Sequence, residues 1–210
     1  PPERAEKLFQ AMDTYLFREY GPILFYPSYK TPQPQIGYLS RYAPGLRENG
    51  GTYTHAATWG VLAACKLGKK KQAYEAYKSF LPPYRGLNPD LYKVEPYVNP
   101  GNVDGPDSPN FGRGGFTWYT GSSTWSFLTA MEGICGIIPD WDGLVIRPMV
   151  PDDWTEFSVT RPYRGALYHF TFRRTTVEEE KGVIVDDVTI SSNKIYPHND
   201  GAVHHVEVIF

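Results

Sequence analysis

Apolar residues recur near the helical period over residues 3–18, where Ala5, Leu8, Phe9, Met12, Leu16 and Phe17 share one face, so the spacing predicts an amphipathic helix. Gly21-Pro22 ends it. A second run through Ala56, Ala57, Trp59, Val61, Leu62, Ala63, Ala64 and Leu67 predicts a helix that opens near Thr54 and stops at Gly68. Gln72 to Leu81 predicts a third, cut by Pro82-Pro83. With the solvated turn Lys69-Lys70-Lys71 between them, the second and third helices should form an αα-hairpin. The apolar positions Trp125, Phe127, Leu128, Ala130, Met131, Ile134 and Cys135 predict a fourth helix over Thr120 to Ile137.

The segments between these runs lack a period. Ile23 to Gly51 and residues 82–117 are rich in proline, glycine, asparagine and aromatic residues, and loops of that length inside a compact domain are usually functional. After Pro139 the pattern changes to short β-rich runs. Leu144-Val145-Ile146, Phe157 to Thr160, Ala166 to Phe172, Gly182 to Val185 and Val203 to Phe210 read as strands separated by turn residues. The segregation of helices from strands predicts a mainly α region over 1–140 and a small β-domain over 141–210, with the change falling between 138 and 143. A helical layer this small, joined by loops this long, is expected to belong to a larger ring of helices.

Composition narrows the partners. A chain of 210 residues can bury a sizeable core, and its net charge of −2 with a pI near 6.2 gives no electrostatic case for nucleic acid or an anionic membrane. No run of about 18 apolar residues is present, and Pro1 to Lys7 does not read as a signal peptide. Cys65 and Cys135 lie in apolar helical runs without the spacing of a zinc, redox or disulfide site; buried free thiols and a cytoplasmic location are expected. The high aromatic content, 15%, suits either core filling or the CH faces of a sugar.

Two segments concentrate the chemistry. Arg47-Glu48-Asn49-Gly50-Gly51-Thr52-Tyr53-Thr54-His55 and Trp118-Tyr119-Thr120-Gly121-Ser122-Ser123-Thr124-Trp125 each lead into a predicted helix, where free backbone N–H groups and the helix dipole favour an anion. His55 can donate to a phosphate there or serve as a structural histidine. Thr120-Gly121 can cap its helix, cradle an anion, or do both. Candidate acids and bases are Glu48, Glu95, Asp104 and Asp107. Glu95, before Pro96, reads as a structural acceptor, and the two aspartates read as turn residues, so no carboxylate pair of a hydrolase stands out. No metal site is expected: His204 and His205 are adjacent on a strand and point to opposite faces. Arg113, in Gly112-Arg113-Gly114-Gly115, lacks the spacing of a nucleotide motif.

Taken with Tyr92-Lys93-Val94-Glu95-Pro96-Tyr97-Val98, Phe111 to Thr117, Asp142-Gly143-Leu144, Pro151 to Trp154 and Arg164-Gly165-Ala166, these two segments closely resemble glycoside hydrolase family 94. That family includes inverting phosphorylases of cellobiose, chitobiose and cellobionic acid, and the phosphorylase-like domain of cyclic β-1,2-glucan synthases. The resemblance implies the last part of an (α/α)6 barrel followed by a small β-sandwich or jelly-roll-like domain. It implies phosphate binding by His55, Thr120 and Gly121, with Arg47 and Glu48 in the acceptor-sugar subsite. In the family mechanism an Asp protonates the glycosidic oxygen while phosphate, the co-substrate, attacks the anomeric carbon to give an α-sugar 1-phosphate; no cofactor is needed.

The family's Asp lies upstream of the Glu-Asn-Gly-Gly segment, outside this chain. The 210 residues are therefore expected to be the C-terminal portion of a longer glycosyltransferase, inactive alone, with the remainder of its own chain, a β-linked disaccharide or oligosaccharide, phosphate and a second copy in a homodimer as partners. Where several disaccharide phosphorylases carry a phosphate-binding glutamine, this chain has Gly101, flanked by Asn99-Pro100 and Asn102. Either an asparagine replaces that contact or it is lost, which leans the chain toward cellobionate-type or glucan-type relatives. The alternatives are a glucan-synthase domain and, from another class, a non-catalytic carbohydrate-binding or structural module.

Overall fold

A computed structural model describes all of residues 1–210, which divide into two compact units, Pro1–Ala130 and Met131–Phe210. The first is helical. Its helices are α1 (Pro2–Tyr15), α2 (Thr54–Lys66), α3 (Lys70–Phe80), the short α4 (Pro82–Arg85) and α5 (Pro89–Tyr92), and α6 (Thr120–Leu128). The helical runs predicted at 3–18, near 54–67 and 72–81 correspond to α1, α2 and α3. Small residues let α2 and α3 approach closely. Ala57, Val61 and Ala64 on α2 and Ala73, Ala76 and Phe80 on α3 are buried, and Gly68, at φ 72°, makes the turn between them.

The segment between α1 and α2 is irregular apart from a 3₁₀ turn at Tyr38–Arg41. Three two-residue strands, β1 (Thr52–Tyr53), β2 (Asn102–Val103) and β3 (Gly114–Gly115), form a small antiparallel sheet in that order. Together with α4 and α5, strands β2 and β3 give structure to the segment 82–117, which the sequence reads as loop. This sheet matters for the site because β1 feeds directly into α2, and β3 lies on the path into α6.

The fourth helix differs from its predicted span. Regular α6 stops at Leu128, a π-turn covers Thr129–Ile134, and Ile137–Pro139 forms strand β4, ahead of the change expected at 140. The Thr129 hydroxyl donates back to the Trp125 carbonyl at 2.7 Å, which competes with the helical ladder, and Gly136 takes φ 71°, which a helix cannot accommodate.

The second unit holds β4 (Ile137–Pro139), β5 (Leu144–Ile146), β6 (Glu156–Tyr163), β7 (Ala166–Arg173), β8 (Gly182–Val185), β9 (Val188–Ile190), β10 (Lys194–Ile195) and β11 (Val203–Ile209). They form a three-stranded sheet ordered β10-β5-β4 and a five-stranded sheet ordered β6-β7-β11-β8-β9, in which β11 runs parallel to β7 and antiparallel to β8. Alternation fixes the buried face: Tyr168, Phe170 and Phe172 on β7 lie opposite His204, Val206 and Val208 on β11. Ile137, Leu144, Ile146 and Ile195 of the smaller sheet share this core. As the strand period predicts, His204 is buried while its neighbour His205 is exposed.

Candidate functional site

Each chemistry-bearing segment enters its helix in the same way. Tyr53 is the N-cap of α2 and Tyr119 that of α6, neither helix start has a side-chain cap, and the two phenol oxygens are 2.7 Å apart. The mutual bond, with burial second, pushes the Tyr53 phenol up to about 12. Two Tyr-Thr-X helix starts distant in sequence are thereby drawn together.

The Thr120 hydroxyl is therefore not a cap; Thr120 is the first helical residue. The Ser123 N–H is the first in α6 to reach back to a carbonyl, that of Tyr119 at 3.2 Å, which leaves the N–H groups of Thr120, Gly121 and Ser122 without helical partners. In α2 the Thr54 N–H donates to the Gly101 carbonyl at 3.0 Å, and the N–H groups of His55 and Ala56 remain. The His55 ring reaches across: its Nδ1 lies 3.8 Å from the position a Cβ on Gly121 would take. Its ring centroid is 5.2 Å from Trp59 and 5.7 Å from Trp125, and the two indoles lie 5.8 Å from each other, so the three rings form one cluster. His55, Thr120 and Gly121 are thus one constellation.

Buried polar atoms normally have partners, so the exceptions are informative. Seven buried side-chain atoms have no hydrogen bond, and four of them, Glu48 Oε2 (3.6 Å from the Arg47 Nε), Thr54 Oγ1, His55 Nε2 and Ser122 Oγ, fall inside the two segments. Leaving such an atom unpaired costs about 1–3 kcal/mol. That concentration fits a place where a polar ligand completes the bonding.

Arg47 and Glu48 sit on a strained turn beside these helix starts. Arg47 takes φ 50°, and a side chain at Gly51 would meet the Arg47 carbonyl oxygen at 2.7 Å, so this glycine is required by close approach. The buried Asn49 amide holds the turn, accepting from the Tyr29 N–H at 2.9 Å and donating to the carbonyls of Tyr29 and Tyr42. The Arg47 guanidinium lies over the rings of Tyr42 and Phe116, and Phe116 in turn meets the edge of Tyr119. Arg47 also lines a cavity of about 320 Å³ with Asn102, Asp104 and Arg113, which shares Pro109, Asn110, Arg113, Gly114 and Gly115 with a second of about 670 Å³. His55, Thr120 and Gly121 lie outside both cavities.

The loop before α6 presents rings. Phe116 and Trp118 both take positive φ, and with Tyr97 they are among the most exposed large side chains of the unit. Left-handed backbone at two bulky residues stores strain of the kind that collects at binding sites. In the sequence Phe116 and Tyr97 stand only as members of the family-like segments 92–98 and 111–117, with no role of their own, because a ring that faces solvent is indistinguishable in sequence from one in the core.

The four acid–base candidates separate. Glu95 accepts the Trp118 indole N–H at 3.2 Å and so positions that ring. Asp107 accepts the Ser28 hydroxyl and N–H and pairs with Lys30 at 2.9 Å; the Ser28 hydroxyl first, then its N–H and Lys30, hold the carboxyl down to about 2. Burial raises Asp104 above the usual range, and the Ser108 hydroxyl donates to it at 2.8 Å. Both aspartates fasten loops. Glu48 faces its neighbour, its Oε2 3.6 Å from the Arg47 Nε and without a hydrogen bond.

Around Gly101 the two asparagines part company. The Asn99 amide donates to the Ser123 hydroxyl at 3.2 Å in the first turn of α6, whereas Asn102 lines the cavity of Arg47 and Arg113. The Gly101 N–H donates to the Phe116 carbonyl at 2.8 Å, and a Cβ at Gly101 would stand 3.2 Å from that of Phe116.

Both cysteines are free, and burial pushes the Cys135 thiol up to about 11. No helix is long and apolar enough to cross a membrane. A family model described as the glycosyl hydrolase 94 superfamily, catalytic domain, matches residues 1–136. The chain is 35% identical over 208 residues to solabiose phosphorylase of Paenibacillus borealis, a match covering 98% of this chain and 27% of that protein. It is 36% identical over 190 residues to cyclic beta-(1,2)-glucan synthase of Rhizobium meliloti (strain 1021), covering 87% and 7%. To N,N'-diacetylchitobiose phosphorylase of Vibrio proteolyticus it is 35% identical over 167 residues, covering 80% and 21%. The chain thus spans 27% or less of the length of each of these relatives.

Proposed function

Because the chain belongs to the glycosyl hydrolase 94 superfamily, we propose that it is part of a phosphorylase acting on a β-linked glucosyl disaccharide or short oligosaccharide. The observation that carries this reading is the meeting of two helix starts without side-chain caps, with the His55 Nδ1 turned toward Gly121. Phosphate is held there by the Thr120 hydroxyl, the free N–H groups of α6 and the His55 ring. Already anionic, it needs no base to attack the anomeric carbon. The C–O bond to the leaving sugar breaks as the new C–O bond forms on the opposite face, the configuration inverts, and the product is an α-sugar 1-phosphate.

The leaving oxygen takes its proton from a general acid. Asp104, Asp107 and Glu95 are each engaged in loop or ring contacts, Glu48 faces the Arg47 guanidinium, and with the family resemblance we assign the acid to a segment outside these 210 residues. Arg47 and Glu48 line the acceptor-sugar subsite, where Phe116 supplies an apolar face. We read α1 to α6 as the closing part of an (α/α)6 barrel and the second unit as its β-sandwich companion. Removing one donor that acts in the transition state lowers turnover by about 100- to 1000-fold. His55→Ala in the intact enzyme should therefore lose phosphorolysis by that factor, and phosphate dependence unchanged from the native enzyme refutes the assignment.

The likeness to a cyclic glucan synthase supports a second reading, in which the same site trims or redistributes glucan chains with phosphate. Release of glucose 1-phosphate from a disaccharide favours the first reading; redistribution of long β-1,2-chains favours the second.

A further inference from the structure

In the second unit His204 occupies a place that the strand pattern reserves for an apolar side chain. It lies opposite Tyr168 in a buried row continued by Val206 and Val208. A polar ring there needs partners for both nitrogens. Its Nδ1 is 2.6 Å from the Asp186 carboxylate, and its Nε2 is 3.2 Å from that of Asp200. The exposed His198 ring lies flat against it, with centroids 3.7 Å apart.

Each neighbour is itself oriented. The Tyr168 hydroxyl accepts the His198 backbone N–H at 3.1 Å and bonds the His198 Nδ1 at 3.0 Å, which tethers one edge of that ring and leaves its Nε2 available. The second oxygen of Asp186 accepts the His205 N–H at 2.9 Å, so the first is presented toward His204. Such outer contacts are what hold imidazole and carboxylate ligands ready for a metal.

We propose that Asp186, His198 and His204 bind a transition-metal dication of the zinc kind. One ligand atom from each lies within 4.8 Å of the others. Two imidazoles and one carboxylate match zinc, nickel or copper and not the oxygen-seeking calcium or magnesium. A zinc ion takes these donors at about 2.0–2.2 Å, so the Asp186–His204 pair, hydrogen-bonded at 2.6 Å, opens to admit it while the His198 ring closes in. Asp186 and His198 are exposed on connecting segments and can move by side-chain rotation, while buried His204 is the fixed member. The ion replaces one carboxylate bond of His204, and a water completes the fourth position. It ties together the β8–β9 turn, the segment before β11 and β11 itself.

The test uses the intact protein, stripped with a chelator and titrated with Zn²⁺ against a chromophoric competitor, beside His198→Ala and His205→Ala variants. Both substituted residues are exposed, and circular dichroism checks that the variants fold. The native protein should bind one zinc more than His198→Ala, or bind it at least about tenfold more tightly, and zinc should raise the Tm of the native protein and of His205→Ala alone. Equal stoichiometry and affinity in native protein and His198→Ala overturns the proposal. So does loss of the ion in His205→Ala with retention in His198→Ala.

Discussion

Gly121→Ala should separate stability from function. Gly121 is the second residue of α6 with ordinary helical backbone, and the only atom within 4 Å of a Cβ built there is the His55 Nδ1, at an unstrained 3.8 Å. Alanine in a helix is about 0.5–1 kcal/mol more favourable than glycine, so the variant should be as stable as the native protein or slightly more so. Yet the added methyl stands in the space between His55 and the open N–H groups of α6. A phosphate oxygen held there has to retreat and gives up a charge-assisted hydrogen bond worth about 1.5–3 kcal/mol. At 1.36 kcal/mol per decade this is a loss of about 10- to 150-fold in kcat/KM measured against phosphate. The assay is phosphorolysis by the intact enzyme with phosphate varied at saturating sugar, paired with thermal unfolding of the same preparation. A variant with undiminished Tm and an unchanged phosphate dependence refutes the placement of phosphate between the two helix starts. A drop in Tm of several degrees refutes the claim that the space is otherwise empty.

Two further outcomes follow from the charged and phenolic groups. Asp107 has its carboxyl held below the ordinary value of 3.8 at about 2, so its stabilisation is present above about pH 4 and is lost as the pH falls toward 2. After discounting for partial exposure, Asp107→Asn should cost about 1–2 kcal/mol at neutral pH and flatten the acid limb of a urea-stability profile; parallel native and variant limbs refute it. Tyr53, pushed up to about 12, should remain protonated through about pH 11, so a near-ultraviolet titration of Tyr53→Phe should lose amplitude only above that pH. Amplitude lost in the ordinary tyrosine range, near about pH 10, contradicts the paired-phenol geometry.

What the sequence revealed depended on period and on local chemistry. Long helices with a clear apolar face, such as α2 and α3, were legible, as were strands whose alternation runs for seven or eight residues, β6, β7 and β11. The strands β1 to β3 hold two residues each, too few for any alternation to show. Strand β9 was hidden because Asp186-Asp187 makes its two-residue turn at positive φ without the usual glycine. At the site, the two glycine-bearing segments could be identified from residue type. Their meeting was implied by the family resemblance alone; residue type and period do not carry it, since it depends on the Tyr53–Tyr119 bond and on long-range pairing of β1 with β2. The association of His204 with His198 and Asp186 was equally hidden, because the chain order places His205 nearest and the fold turns it away.

Gly101 and Phe116 constitute a single steric choice. The backbone of Gly101 bonds at once to the start of α2 and to the Phe116 carbonyl, and any side chain at 101 presses on the Phe116 Cβ at 3.2 Å. The positive φ of Phe116 is compatible with a bare glycine facing it. Across homologues the two positions should therefore covary: an amide-bearing residue at the first calls for a smaller or reoriented residue at the second. Phosphate contact and the apolar floor under Arg47 are then exchanged for one another rather than evolved separately, and transplanting either residue without its counterpart should yield a poorer enzyme than transplanting both.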